Sequence, residues 1–99
     1  MNYPSAPVAL DWDEWNLEHI GKHRVRVEEV EEVTKGNPIF LDSYKDRLLM
    51  IGPSASGRML TVVIGEVPEK PNIYYVFSAR SCVRKEVRLF DQRRGGGAS

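Results

Sequence analysis

The stretch that decides the fold is residues 47–80, which read RLLMIGPSASGRMLTVVIGEVPEKPNIYYVFSAR. Three apolar runs, at residues 47–52, 58–65 and 73–80, alternate with two short segments rich in proline and small polar residues. Apolar runs of this length, bounded by turn-forming residues, are typical of β-strands. Connections this short join neighbouring strands as hairpins. The stretch therefore predicts a three-stranded antiparallel β-meander.

The residues before the meander predict a first strand and two short helices. Residues 8–12 are mostly apolar, and Asp13 after them can cap a helix over residues 14 to about 23. A second helix is expected over residues 27–35, where valine recurs at every third position and Gly36 follows as a stop signal. Its glutamates predict an acidic surface made of Glu28, Glu29, Glu31 and Glu32.

Two further elements complete the domain. Residues 38–41 should form a short strand at an edge of the sheet, because Pro38 has no amide hydrogen for a ladder. The segment from residue 82 to about 93 places apolar residues at helical spacing, with Ser81 as its cap, so a closing helix should pack on the sheet. We expect one α+β domain over residues 8–93, between a flexible arm at residues 1–7 and a disordered tail at residues 94–99.

Length and composition limit the class of protein. A chain of 99 residues suits a single hydrophobic core. Its only cysteine, Cys82, has no internal disulfide partner, which indicates a reducing compartment and predicts a cytoplasmic protein. The first residues lack a signal-peptide pattern, and no apolar run approaches the roughly 20 residues that span a bilayer, so neither secretion nor membrane insertion is expected.

The formal net charge is zero, but the charges are divided along the sequence. Residues 1–46 contain ten acidic and five basic residues, whereas residues 47–99 contain four acidic and nine basic residues. A basic C-terminal half is suited to bind an anion such as phosphate, and an acidic N-terminal half to face solvent or a basic partner. Ordinary scatter of surface charge is the alternative interpretation.

The predicted meander strands are apolar on both of their faces. In residues 59–64 apolar side chains occupy the odd and the even positions alike, although a sheet with one wet face alternates apolar and polar residues. The second face is therefore expected to be covered. The candidates are another chain, including a second copy in a homodimer, or the remaining elements of the protein itself.

Two histidines, His19 and His23, lie four residues apart on the predicted first helix. They share with Trp15 the half of the helical wheel that we expect to face the core, so both are interpreted first as structural. Two alternatives stay open: the histidines take part in catalysis or contact nucleic acid, or they bind a zinc ion. Trp12 and Trp15 are likewise interpreted as core anchors rather than as base-stacking surfaces.

The best candidate site follows from the strand directions. The start of the second meander strand and the end of the third meet at one edge of the sheet, which places Arg58 beside Arg80. The closing helix begins there, with Arg84 and Lys85 in its first turn, where cations oppose the helix dipole unless an anion is bound. We therefore expect a phosphate site at this rim. The alternative is that Glu86 and other acids neutralise the arginines.

A phosphate held by these cations suits the cleavage of RNA, whose ribose 2′-hydroxyl can attack the neighbouring phosphate. Such a reaction needs positioning, cations and a proton carrier, and no cofactor is expected. His19, His23 and Tyr75 are the candidate proton carriers, and the sequence leaves the choice open. The chain contains no nucleophile elbow, phosphate-binding loop or dinucleotide fingerprint.

An ordered set of motifs resembles a known family. The matching residues run Trp12-Asp13-Glu14-x-Asn16-x-x-His19-x-x-Lys22-His23-x-Val25, Glu28-Glu29-Val30, Arg47-Leu48-Leu49-Met50-Ile51-Gly52, Gly57-Arg58-Met59-Leu60-x-Val62-Val63 and Ser78-Ala79-Arg80-x-x-x-x-Lys85-Glu86. Over about residues 8 to 90 they resemble BrnT-type toxins. The resemblance implies a RelE-like fold, a ribonuclease activity that inhibits translation, and a BrnA-type antitoxin that binds and neutralises the toxin.

The resemblance and the rim together give the predicted site. We predict catalytic roles for Arg58, Arg80, His23 and His19, and RNA binding by Arg47, Arg84, Lys85 and Tyr75, with no metal ion. The chain departs from the family where Arg24 replaces the usual glycine and Arg26 the usual Ser or Thr helix cap. The alternative function is a non-catalytic binding module, such as a decayed toxin that retains only its partner-binding face.

Overall fold

The structure, a computed structural model, describes residues 3–4 and 8–94. Most of the predicted arm and tail, residues 1–2, 5–7 and 95–99, lies outside these residues. In the described part the elements follow the order β1 (Ala9–Asp11), α1 (Glu14–Gly21), α2 (Val27–Lys35), β2 (Ile39–Asp42), β3 (Arg47–Pro53), β4 (Met59–Val67), β5 (Lys70–Ser81) and α3 (Arg84–Arg93). The predicted α+β class and the order of its elements are confirmed.

The strands form one five-stranded sheet in the order β1-β5-β4-β3-β2. Strands β2 to β5 are antiparallel neighbours, as the short connections predicted, and β2 lies at the edge, as Pro38 indicated. The opposite edge is β1, which pairs in parallel with β5. The turn between β4 and β5 is shorter than predicted, because Glu69 adopts a left-handed φ of 68° and lets the ladder resume at Lys70.

Helices α1 and α2 cover one face of the sheet, which we call the helix face. Ile20, Val30 and Val33 pack there against sheet residues such as Leu60 and Val76, and all five are almost completely buried. Burying one such side chain contributes about 1.5 to 3 kcal/mol. The valine spacing of α2 thus did identify its buried stripe. Within residues 3–4 and 8–94, none of the helices has the length and apolar composition that a membrane-spanning helix requires.

The opposite side, which we call the groove face, is only partly covered. Helix α3 packs over the end of this face that contains Ile51 and Thr61, which are buried. Leu49 and Val63 remain half-buried beside it. The expectation that something covers the second face is therefore met in part by the protein's own closing helix, and the remainder of the face forms an open groove.

The orientation predicted for α1 is correct for Asn16 and Ile20 and wrong for Trp15 and His23. Asn16 and Ile20 face the core, whereas Trp15 and His23 are exposed and His19 is half-buried. Asn16 occupies the inner position because its amide oxygen accepts from the Asp13 amide and its amide nitrogen donates to the Asp11 carbonyl. These bonds turn the neighbouring stripe of Trp15 and the histidines toward the groove face.

The start of α3 also differs from the prediction. Ser81 is the last residue of β5 and not a cap, and the helix begins at Arg84 after Val83. The Glu86 side chain accepts a hydrogen bond from the Val83 amide at 2.9 Å. This carboxylate, which comes from inside the first turn, satisfies the amide that a preceding serine was expected to cap.

The junction between α1 and α2 keeps the turn that glycine would favour. Arg24 adopts a left-handed φ of 59°, a conformation that costs a residue with a side chain about 1 to 2 kcal/mol. Arg26 provides no side-chain cap for α2, as its sequence predicted, although its amide donates to Glu29 Oε1 at 3.0 Å. The departures at these two positions therefore leave the helix junction intact.

Candidate functional site

A groove of about 820 Å³ opens on the groove face of the sheet. Its floor contains the apolar side chains of Leu49 and Val63, from the central strands β3 and β4. One side is formed by α1 and β5, and the other by the β2–β3 connection. The remaining lining residues are Trp15, His19, Ser43, Tyr44, Arg47, Tyr75, Phe77, Ser78 and Arg80. The lining is thus aromatic and basic, and no carboxylate of the described residues belongs to it.

Aromatic rings follow one another along the α1 and β5 side of the groove. The indole of Trp15 stacks on the imidazole of His19 with ring centroids 4.6 Å apart and planes 10° from parallel. Trp15 also faces Tyr75 at 6.5 Å, and Tyr75 meets Phe77 edge to face at 5.0 Å. Such contacts fix the ring planes against one another. The groove therefore has a preformed wall of flat aromatic surfaces.

Arg47 lies at the end of this aromatic series. Its guanidinium carbon is 3.6 Å from the centroid of the Phe77 ring, a cation–π contact. Phe77 occupies this place because β5 has a bulge where the register shifts between Val63 and Ile64 of β4. Among the described residues Arg47 forms no ion pair. Within the part of the chain that the structure describes, its guanidinium thus lines the groove without an ion-pair partner.

Arg80 also lines the groove, but its guanidinium is paired. It donates to both carboxylate oxygens of Glu86 at 2.8 Å. This hydrogen-bonded pair raises the pKa of Arg80 and, together with donation from Val83 and Thr61, lowers the pKa of Glu86 to about 2. The alternative that Glu86 neutralises the rim is correct for Arg80. With 42% of its side chain exposed, Arg80 stays accessible from the groove that it lines.

Arg58 lies on the helix face and not in the groove. It contacts Glu29 at 3.1 Å and donates to the Arg24 carbonyl at 2.7 Å. Backbone donation from Arg26, and then the Arg58 side chain, lower the pKa of Glu29. Arg58 also donates to Ser81 Oγ, whereas Arg80 contacts the carbonyl of the same serine.

The shared rim of Arg58 and Arg80 is therefore not formed. The two residues meet at one edge of the sheet, as the strand directions predicted, but on opposite faces. The register explains this, because Arg80 pairs with Thr61, whose side chain is on the groove face. Side chains two residues apart on a strand point to the same face, so the side chain of Arg58 points to the helix face, as that of Leu60 does. Each arginine has its own carboxylate partner.

The hydroxyl of Tyr75 is committed to a neighbouring carboxylate. It donates to the Asp13 side chain, with both oxygens at 2.9 Å. Burial, and then this hydrogen bond, raise the pKa of Tyr75 to about 12. The ring of Tyr75 lines the groove, but its proton is held by Asp13, the residue that caps α1. This geometry favours a role in orienting the groove wall over one in proton transfer.

The other predicted site residues lie outside the groove lining. His23 is exposed at the end of α1, and its ring centroid is 6.2 Å from that of His19. Arg84 and Lys85 are exposed on the first turn of α3. Within residues 3–4 and 8–94, no three His, Cys, Asp or Glu side chains come together as a metal-binding group. The zinc alternative thus has no third ligand in this part of the chain.

Sequence reasoning missed several groove residues. Trp15 and Tyr44 are exposed and line the groove, although Trp15 was interpreted as a core anchor and Tyr44 was given no role. The signal was present for Trp15, because it stands four residues before His19 and so belongs to the same helical stripe. Nothing in the local sequence indicated Phe77, whose position depends on the bulge in β5.

Comparison with known proteins gives no identification. No protein-family model matches the chain, and no curated protein sequence matches it significantly. Function must therefore be inferred from the side chains that the fold brings together.

Proposed function

We propose that this protein is an endoribonuclease toxin that cleaves RNA without a metal ion and inhibits translation in the cytoplasm. Two things support the proposal: the resemblance to BrnT-type toxins, with the RelE-like fold that it implies, and the contents of the groove. The observation that carries it is that His19, Arg47 and Arg80 line one groove. These are a proton carrier and two cations, the groups that cleavage of a phosphodiester requires.

The chemistry uses the nucleophile that RNA itself supplies. The 2′-hydroxyl oxygen attacks the neighbouring phosphorus, the bond from phosphorus to the 5′ oxygen breaks, and the products are a 2′,3′-cyclic phosphate and a 5′-hydroxyl. The proton leaves the 2′-oxygen, and the departing 5′-oxygen gains a proton. His19 is assigned to proton transfer, while Arg47 and the exposed part of Arg80 stabilise charge on the phosphate oxygens.

The stacking of His19 on Trp15 supports this assignment. The stacked imidazole has its plane 10° from that of the indole, so the contact restricts the plane of the ring. Preorganisation of this kind is what positions a catalytic group at low entropic cost. Arg58, in contrast, is assigned to holding the helix junction, and its predicted phosphate contact stays a prediction.

The test is cleavage of a defined single-stranded RNA by purified protein in excess EDTA. We expect cleavage by the unaltered protein, a loss of about 100-fold or more for His19→Ala, and a comparable loss for Arg47→Gln. Arg88→Ala is the matched control, because Arg88 is exposed on α3 outside the groove. RNA left intact by the unaltered protein, or cut equally well by His19→Ala, would reject the proposal.

A second function is supported by the apolar floor of the groove. Leu49, Val63 and Phe77 are half-buried and present a surface that a partner protein can cover. A decayed toxin would keep this surface for a BrnA-type antitoxin, or for a second copy of itself, without cleaving RNA. Growth arrest on expression alone, relieved by an antitoxin, favours the toxin. Complex formation without arrest favours the binding module.

A further inference from the structure

Two large aromatic side chains of the groove are exposed to solvent. Trp15 on α1 is 54% exposed, and Tyr44 in the β2–β3 connection is 84% exposed. Helix α1 packs on β5, whereas Tyr44 precedes β3, which lies two positions away across the sheet. Neighbouring strands are about 4.8 Å apart, so the two rings stand on sides of the groove separated by roughly 10 Å. Both sides thus present a flat aromatic surface.

A side-chain contact positions the ring of Trp15, and a tight turn positions the backbone at Tyr44. Trp15 stacks on His19 at 4.6 Å. Tyr44 stands at the start of a hairpin turn in which Lys45 and Asp46 have φ values of 62° and 60°. Glycine, asparagine and aspartate are the residues that normally occupy such a turn, and the left-handed conformation costs a residue such as Lys45 about 1 to 2 kcal/mol. Backbone strain of this kind is concentrated at functional sites.

The charge of the groove restricts what can stack on these rings. Its charged lining residues, Arg47 and Arg80, are both cations, and Arg47 makes no ion pair with any described residue. A ligand that fits has flat π-systems and negative charges between them. Bases in a duplex are covered on both faces by neighbouring base pairs. A single strand has free bases and phosphates at the spacing of the chain.

We propose that Trp15 and Tyr44 are two stacking surfaces for unpaired bases of a single-stranded nucleic acid, with Arg47 at the phosphate between them. This inference rests on the proposed function only for its biological substrate, RNA. It makes unpaired bases the feature that the protein recognises. It also assigns Trp15, which was interpreted as a core anchor, and Tyr44, which was given no role, to substrate selection.

The test measures binding without cleavage. A fluorescently labelled single-stranded DNA octanucleotide lacks the 2′-hydroxyl and stays intact, and its binding is followed by anisotropy. Stacking of one base contributes about 1 to 3 kcal/mol, so Trp15→Leu and Tyr44→Leu should each weaken binding about 5-fold or more. Trp15→Phe and Tyr44→Phe keep a ring and should bind within about 3-fold of the unaltered protein. Leu17→Ala, exposed on the same helix outside the groove, is the matched control.

The outcomes separate this inference from the proposed function. Equal binding by the leucine variants, or equal binding of a blunt duplex of the same sequence, would overturn the inference even if RNA is cleaved. Binding that depends on both rings supports the inference even if RNA is never cleaved. No binding of either form by the unaltered protein would also overturn it, and would assign the groove to a protein partner.

Discussion

The carboxylate of Glu86 accepts hydrogen bonds from four donors at the start of α3. Two come from the Arg80 guanidinium, one from the Thr61 hydroxyl and one from the Val83 amide, all between 2.8 and 2.9 Å. Each donor favours the charged form of the carboxylate, which is why the pKa of Glu86 falls to about 2. The residue expected only to neutralise the rim thus joins β4, β5 and α3.

This carboxylate predicts a dependence of stability on pH. Because the pKa of Glu86 is lowered on folding, its contribution is present above about pH 4.5 and is lost as the pH falls toward 2. We expect Glu86→Gln to lower the free energy of unfolding at pH 7 by about 2 kcal/mol, since solvent at the half-exposed Arg80 weakens the pair.

Urea unfolding of both proteins between pH 7 and pH 2 checks this prediction. The difference in free energy of unfolding between the two proteins should decrease as the pH falls, because protonated Glu86 has the same charge as glutamine. A difference that stays constant over this range would show that the Glu86 ion pair does not contribute to stability.

The junction of α1 and α2 depends on a residue from a distant strand. Arg58, which immediately precedes β4, donates to the carbonyls of His23 and Arg24 in the segment between α1 and α2. It also donates to the buried carboxylate of Glu29 in α2. Glu29 is only 7% exposed. A buried carboxylate without its partner is costly. In addition to the apolar packing, one guanidinium therefore links the junction of the two helices to the sheet.

We predict that Arg58→Met and Glu29→Gln each lower the free energy of unfolding by about 2 to 3 kcal/mol. The free energy of unfolding of the double variant should fall by at least about 1 kcal/mol less than the sum of the two single losses, because both changes remove the same interaction. Urea unfolding at pH 7 measures all four proteins, with Arg88→Met as an exposed control. Strict additivity would show that the Arg58–Glu29 pair is not coupled.

The Arg58–Glu29 ion pair is also an example of what could not be predicted about the elements from the sequence. The spacing of Val30 and Val33 identified α2 and its buried stripe, because helical periodicity is local. Glu29 was predicted to face solvent, since nothing nearby reveals a partner 29 residues away. The parallel pairing of β1 with β5 was likewise unpredicted. Orientation and long-range partners depend on the assembled sheet.

The two oppositely charged halves of the sequence are not separate regions of the molecule. Glu29 and Glu32 of the acidic half contact Arg58 and the Ala55 amide of the basic half. The strand β1 of the acidic half joins the sheet at β5 of the basic half. The folded molecule therefore has interleaved charges. Two of its cationic regions bear on the predicted site, namely Arg47 and Arg80 in the groove and Arg84 and Lys85 on the first turn of α3.

These two cationic regions predict different salt dependences for RNA binding. Each phosphate contact on a single strand contributes a slope of about −0.7 to log K against log salt concentration. If the groove alone binds RNA, its two arginines give a slope near −1.4, and Arg47→Gln reduces its magnitude by about 0.7 while Arg84→Gln leaves it unchanged. The measurement is anisotropy with a 2′-O-methyl RNA, which cannot be cleaved, between 50 and 300 mM salt. A slope near −3 that falls with Arg84→Gln or Lys85→Gln would extend the RNA path to α3, as the sequence first indicated, and would contradict binding by the groove alone.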